Sequence, residues 1–283
     1  IQIADGSWWQ LVSLKPRPEQ FGAYGDDLTH PLSNDFGSLA AAQAVFPWAT
    51  ALTNEWDWCA IIAAWRFLPR SGGTVVFQGQ YVVQDILFVG DGTTLQASNY
   101  QNIRFEGLSA GVQRDLVNAP SPVPKNRSTI RCSATSTIAA VIWVLGPISF
   151  SMSNIVIDVD NKATRGLYLV HNMNYNIARV TVERYREYAF DLAANENAAT
   201  LLGVYNGHGD GLFDGCIVAQ PMLSTSTGFV VGNGTWTGPG DLDVARIEFR
   251  SCQLVVGDSV NGAGFLLRYC DNINIKGCFS FST

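Results

Sequence analysis

Three segments, LFDGC (212–216), IEFRSC (247–252) and INIKGC (273–278), decide the fold of this chain. Aligned, they share an apolar–charged–small–Cys core: Phe213-Asp214-Gly215-Cys216, Phe249-Arg250-Ser251-Cys252 and Ile275-Lys276-Gly277-Cys278. Two further strand-like segments, IVIDVD (155–160) and VTVERY (180–185), precede them and are placed in the same series. Interleaved with the series is a second motif, a small residue before an apolar run: GLYLV (166–170), AFDLA (189–193), GFVVG (228–232) and GFLLR (264–268). A fixed core with variable polar insertions is the pattern of stacked solenoid rungs. In such a stack Phe213, Phe249 and Ile275 form one inward ladder and Cys216, Cys252 and Cys278 another. Gly215, Ser251 and Gly277 take the corner, where a positive φ costs least for glycine and small polar residues. The expected fold is all-β, a right-handed parallel β-helix.

Outward from this repeat the texture is uniform back to about residue 72, with short runs such as TVVF, YVVQ, TIRC and VIWVL broken by Gly, Asn and Asp. Before it the pattern is helical. SLAAAQAVF (38–46) and TNEWDWCAIIAAWRFLP (53–69) read as two helices, the second opening on acidic residues and closing at Pro69. The expected organisation is a neck or head remnant over 1–20, a helical cap over 21–70 and the β-helix over 71–283. The chain starts at Ile1 and stops at Thr283 within a strand-like pattern, and both ends read as cut from something longer.

Composition narrows the function. The 283 residues are 47% hydrophobic and 15% charged, which excludes a disordered polymer. A net charge of −6 with 18 scattered Lys and Arg argues against nucleic acid as a partner. No apolar run is long enough for a transmembrane helix and no signal peptide opens the chain, so no membrane partner is expected. The six cysteines include no C-x-x-C and read as buried free thiols, and neither a metal nor a cofactor is implied.

FGAYGDDLTH (21–30), DWCAIIAAW (57–65) and SGGTVVFQGQYVV (71–83) resemble the opening of the pectate-lyase-like β-helix superfamily. The sequence departs from that pattern at Asp27, where Gly is usual, at His30, where Asp is usual, and at Gln78, where Pro is usual. ADGSWWQLVS and the insertion over 31–54 are similar to bacteriophage tailspike and tail-fibre depolymerases. The resemblance implies a homotrimeric spike, joined to the phage baseplate or tail, that binds and cleaves a bacterial surface polysaccharide outside the host cell. The motif carries no catalytic residues, so none transfer.

The rung alignment supplies candidate chemistry. The residue after the inward apolar position is Asp158, Glu183, Asp214, Arg250 and Lys276 in turn, and strand alternation would set all five outward in one column. Stacked carboxylates raise at least one pKa, giving the acid and the ionised partner that glycoside hydrolysis needs. Asp158, Glu183 and Asp214 are therefore the catalytic candidates, the alternative being a solvated column neutralised by Arg250 and Lys276. Substrate-binding candidates are His208 and Asp210 on a Gly-rich loop, Arg184, Arg186 and Glu187 in RYREY, His171, Arg250, and Trp236 as a sugar-stacking indole. Turn chemistry or a trimer rim accounts for several of these equally well. The other tryptophans of the first quarter read as packing. Two rival functions stand beside hydrolysis. One is β-elimination on a uronate polymer, using His208, Arg184, Arg186 and Lys276; the other is a glycan-binding spike that does not cut.

Overall fold

The computed structural model describes residues 15–90, 102–109, 127–146, 149–170, 172, 174–193, 208–232, 244–256, 262–268 and 270–282. These form three parallel sheets of seven, seven and six strands, and successive strands of the chain enter the first, second and third sheet in turn. The chain is a parallel β-helix. Its first sheet runs from Gly73–Phe77 to Cys270–Lys276, its second from Gln80–Val83 to Phe279–Ser282, and its third from Leu87–Gly90 to Phe265–Leu267.

Register turns the sequence repeat into ladders. Val75, Phe105, Met152, Ile177, Phe213, Phe249 and Ile275 are successive partners on the inward side of the first sheet. The Phe213 and Phe249 rings stack with centroids 5.1 Å apart. Across the core, Phe190, Phe229 and Phe265 stack at 4.5 and 5.4 Å. Such pairs contribute beyond the area they bury. The small-residue motif is in register too, because Leu167, Phe190, Phe229 and Phe265 pair in sequence. The corner between first and second sheets holds one left-handed residue in each of the last five rungs: Asn154 (φ 58°), Arg179 (φ 52°), Gly215 (φ 60°), Ser251 (φ 52°) and Gly277 (φ 60°). At Gly211 the constraint is space rather than φ, since a Cβ there would lie 2.0 Å from the Tyr175 ring.

All six cysteines are free thiols; Cys59, Cys132, Cys216 and Cys252 are buried, and Cys270 and Cys278 half-buried. The expected sulfur ladder forms, with the Cys252 N–H donating to Cys278 Sγ at 3.3 Å.

Among the described residues, two α-helices precede the rungs. The first, α1 (Leu39–Val45), is capped by Ser38, whose Oγ accepts from the Ala41 N–H at 3.2 Å. The second, α2 (Trp56–Arg66), buries Cys59, Ala60, Ile61, Ala64 and Trp65 against the apolar end of the stack. Asp57 in its first turn accepts backbone N–H bonds from Tyr24 (2.7 Å), Gly25 (3.2 Å) and Val82 (2.9 Å), tying the opening segment to the first rung. The tryptophans of this region serve packing as expected: Trp56 Nε1 donates to Asp35 and Trp58 Nε1 to the Ile86 carbonyl.

The three departures from the family motif each have a local use. Asp27 takes the left-handed conformation (φ 68°) and pairs with Arg131 at 2.7 Å. His30 stacks on Tyr24 with centroids 3.7 Å apart and pairs with Asp26 at 3.0 Å. Gln78 donates its backbone N–H to the Tyr81 hydroxyl at 3.0 Å, a bond proline could not make, and its side chain accepts from Arg17.

Candidate functional site

The expected single column of acids is two columns on different sheets. Asp158 and Glu183 are neighbours on the second sheet, in the series Val82, Arg131, Asp158, Glu183 and Ala219. Asp214 belongs to the first sheet, after Glu106, Ser153 and Ala178 and before Arg250 and Lys276. The true counterparts of Phe213-Asp214-Gly215-Cys216 in earlier rungs are Ile177-Ala178-Arg179-Val180 and Met152-Ser153-Asn154-Ile155. Period-two alternation is the same in every sheet, so IVIDVD and LFDGC look alike although a corner separates them.

Nor are Asp158 and Glu183 solvated. They are only 1% and 2% exposed. Glu183 receives a bidentate pair from Arg127, itself 1% exposed, with Nη1 at 3.0 Å and Nη2 at 2.5 Å. Arg184, left-handed at φ 51°, clamps Asp158 through Nε (2.7 Å) and Nη2 and reaches Asp160 through Nη1 (2.5 Å). Burial pushes the Asp158 carboxyl up to about 6, although Arg184 opposes the shift. With Lys162 on Asp160 and Arg131 on Asp27, four acids and four bases lie along this column in three ion-paired groups. This cluster holds rungs together, and its carboxylates are committed to guanidiniums rather than open to a substrate.

The remaining candidates scatter. Arg186 donates to Thr137 Oγ1 at 3.2 Å, and Glu187 sits half-buried beside it at the entry to the third sheet. Asp210, left-handed at φ 58°, forms a two-pronged pair with Arg246 at 2.6 and 2.9 Å, which holds its carboxyl below the usual range. His208 opens the same strand, with its side chain outside the described residues, where His171 and Trp236 also lie. Arg250 donates to Glu248 at 2.6 Å, as does Lys276 at 2.9 Å, and together they hold the Glu248 carboxyl down at about 2.

What the structure offers in place of the acid column is a groove of about 380 Å³ on the outer face of the first sheet. Its floor is made by two middle rungs with short side chains, Ser151 and Ser153, then Asn176 and Ala178. Longer residues rise at either end: Arg104 and Glu106 on one side, Leu212 and Asp214 on the other, with Arg179 at the corner. Short side chains between long ones on a flat ladder necessarily leave a trough. Glu106 and Asp214 are three rungs apart, about 14 Å at ~4.8 Å per rung. That exceeds the separations of roughly 5–9.5 Å used by glycosidase carboxyl pairs. Glu248 is closer, on the next rung and two residues along, about 8 Å from Asp214 at the backbone.

Arg104, Glu106 and Arg179 in the groove, and Glu248 beside it, are thus candidates that the sequence pattern did not single out. For Arg104 and Glu248 the signal was the residue just before the repeat core, a second outward position that the four-residue alignment left out, whereas Glu106 and Arg179 hold the charged and corner positions of earlier rungs that the alignment did not reach. Among the described residues, no group of His, Cys, Asp and Glu is placed to hold a metal ion, and no helix is long and apolar enough to cross a membrane.

No family model matches the sequence, and no curated protein does. Among solved structures, ORF18 of Geobacillus virus E2 superposes with a TM-score of 0.60 at 15% identity, covering 94% of this chain and 42% of that one. The tailspike protein gp49 of Pseudomonas phage LKA1 matches at 17% identity with a TM-score of 0.39, over 95% of this chain and 62% of that one. The catalytic unit of the GH87 alpha-1,3-glucanase of Streptomyces thermodiastaticus matches at 12% identity and 0.38, over 96% and 47%. The chain therefore spans less than two thirds of the length of each. What the chain shares with ORF18 of Geobacillus virus E2, at 15% identity, is its fold.

Proposed function

We propose that this chain is the solenoid of a bacteriophage tailspike that engages a bacterial surface polysaccharide in the first-sheet groove. The observation that carries the reading is the groove itself, an elongated trough of hydroxyl, amide and guanidinium groups across four rungs. Sugars present hydroxyls along their length, and a rigid ladder of short polar side chains meets them with preset spacing and little entropy to lose. The tailspike assignment adds a homotrimer, attachment to the tail or baseplate and a place on the virion, each resting on the sequence resemblance.

Cleavage, in this reading, is acid/base hydrolysis centred on Asp214, with Glu248 as the nearest outward carboxylate at a separation that suits inversion. A second reading, glycan binding without cleavage, is favoured by the clamp on Glu248. A carboxyl held near 2 by two cations is a weak general base at neutral pH.

Size-exclusion chromatography of host capsular polysaccharide tests this, using the native protein, Asp214→Asn and Asn176→Trp, which fills the groove floor. The proposal expects the native chain to bind and shorten the polymer, Asp214→Asn to bind without shortening it, and Asn176→Trp to do neither. Retention of polymer on the native protein without shortening selects the binding reading. Equal shortening by all three folded proteins removes the groove from the account.

A further inference from the structure

The groove combines two features that its shape does not require. Among the described residues, the Arg104 guanidinium makes no hydrogen bond or ion pair, and Arg179 makes one, from Nε to the neutral Asn154 Oδ1 at 2.7 Å. Both side chains are exposed at the groove, Arg104 at one end and Arg179 at the corner beside its floor. Of the other arginines described on the rungs, Arg127, Arg131, Arg165, Arg184, Arg246 and Arg250 sit in ion pairs, while Arg186 donates to Thr137 and Arg268 is exposed past the end of a strand. The two acids of the groove lie beside cations of their own: Glu106 accepts from Lys15 at 3.2 Å, and Asp214 is in register with Arg250, which with Lys276 brings two positive charges to the single carboxylate of Glu248. Arg104 and Arg179 therefore remain as local positive charge on a chain whose net charge is −6.

Arg179 is also at odds with its backbone. It occupies the left-handed corner position that other rungs give to Asn154, Gly215, Ser251 and Gly277. Among the described residues its guanidinium serves the fold through one bond, to Asn154 on the neighbouring rung.

Resting on the glycan reading above, we propose that the groove is selective for an anionic polysaccharide, with Arg104 and Arg179 as specificity-determining residues that bind carboxylate or phosphate groups spaced along the polymer. The guanidinium fork matches both anions in two-pronged geometry, and both lie beside hydroxyls of Ser151 and Ser153 and the Asn176 amide that reach sugar oxygens.

The test is calorimetric titration of the purified protein with three size-matched probes: oligogalacturonate, oligomeric glycerol phosphate and neutral dextran oligosaccharide. The variants are Arg104→Gln and Arg179→Asn, the latter chosen because asparagine already fits this corner at position 154. Arg268→Gln is the control, an exposed arginine just past the end of a third-sheet strand. The expected result is binding of an anionic probe that falls about ten-fold with each groove variant, is unchanged in the control and weakens with salt. Preference for galacturonate or for glycerol phosphate identifies the anion. Binding of dextran at least as tight as the anionic probes, unaltered by either variant, overturns the charge selectivity and leaves the groove as a neutral glycan site. Binding of no probe overturns both readings.

Discussion

Replacing Asp158 by asparagine gives a stability difference with a defined pH window. The carboxyl is 1% exposed, and burial raises its pKa from 3.8 to about 6 against the pull of Arg184. In the unfolded chain the group ionises near 3.8, whereas the folded chain resists until about 6. Below 3.8 both states are protonated and the native state keeps its full advantage. As pH rises through this window the unfolded state loses its proton first, so stability falls and then levels off above about 6. Two pKa units correspond to about 3 kcal/mol. The substituted amide does not titrate, so the native protein should lose about 3 kcal/mol relative to Asp158→Asn between pH 3.5 and 7. For a chain of this size that is a relative shift of roughly 6–10 °C in unfolding midpoint. Parallel denaturation of the two proteins at constant ionic strength isolates the group, because other titrating residues cancel in the difference. A flat difference, or a native protein that gains on the variant with rising pH, would refute the balance of burial over ion pairing. The same variant should keep whatever glycan activity the native protein has.

Three further outcomes follow from the packing. Arg127→Ala leaves Glu183 buried without its guanidinium and should cost about 3–5 kcal/mol in denaturant titrations; a loss under 1 kcal/mol would mean that water reaches the carboxylate. Phe213→Ala removes a fully buried ring stacked between rungs and should cost about 3–5 kcal/mol, measured the same way, while Gly215→Asn at the adjoining corner should be tolerated within about 1 kcal/mol. Thiol labelling of the folded protein should spare Cys59 and Cys132, whose thiols burial pushes up to about 12 and about 11, and reach the half-buried Cys270 and Cys278 first.

Fold and site differed in how far the sequence disclosed them. Phe213, Phe249 and Ile275, with the small corner residues between them and the cysteines, were readable because each inward position demands one residue class and each corner one φ. That constraint fails for outward residues, which no ladder fixes. Asp158 and Asp214 each follow an inward apolar residue, and nothing local records that a corner lies between their sheets. The burial of Asp158 and Glu183 depends on Arg184 one turn away and on Arg127 from a distant part of the chain, partners that spacing does not reveal. The groove is harder still to read, since it consists of short side chains, Ser151, Ser153, Asn176 and Ala178, whose meaning appears only when the rungs above and below carry long ones.

In the proposed function the outer face of the first sheet, and not the acid pair of the second, holds the glycan. A crystal structure of the protein with an oligosaccharide from the host capsule tests it most directly. Sugar density is expected along Ser151, Ser153 and Asn176, bounded by Arg104 and Asp214. Density over Asp158 and Glu183, with the Arg127 and Arg184 pairs opened to admit it, would contradict the account.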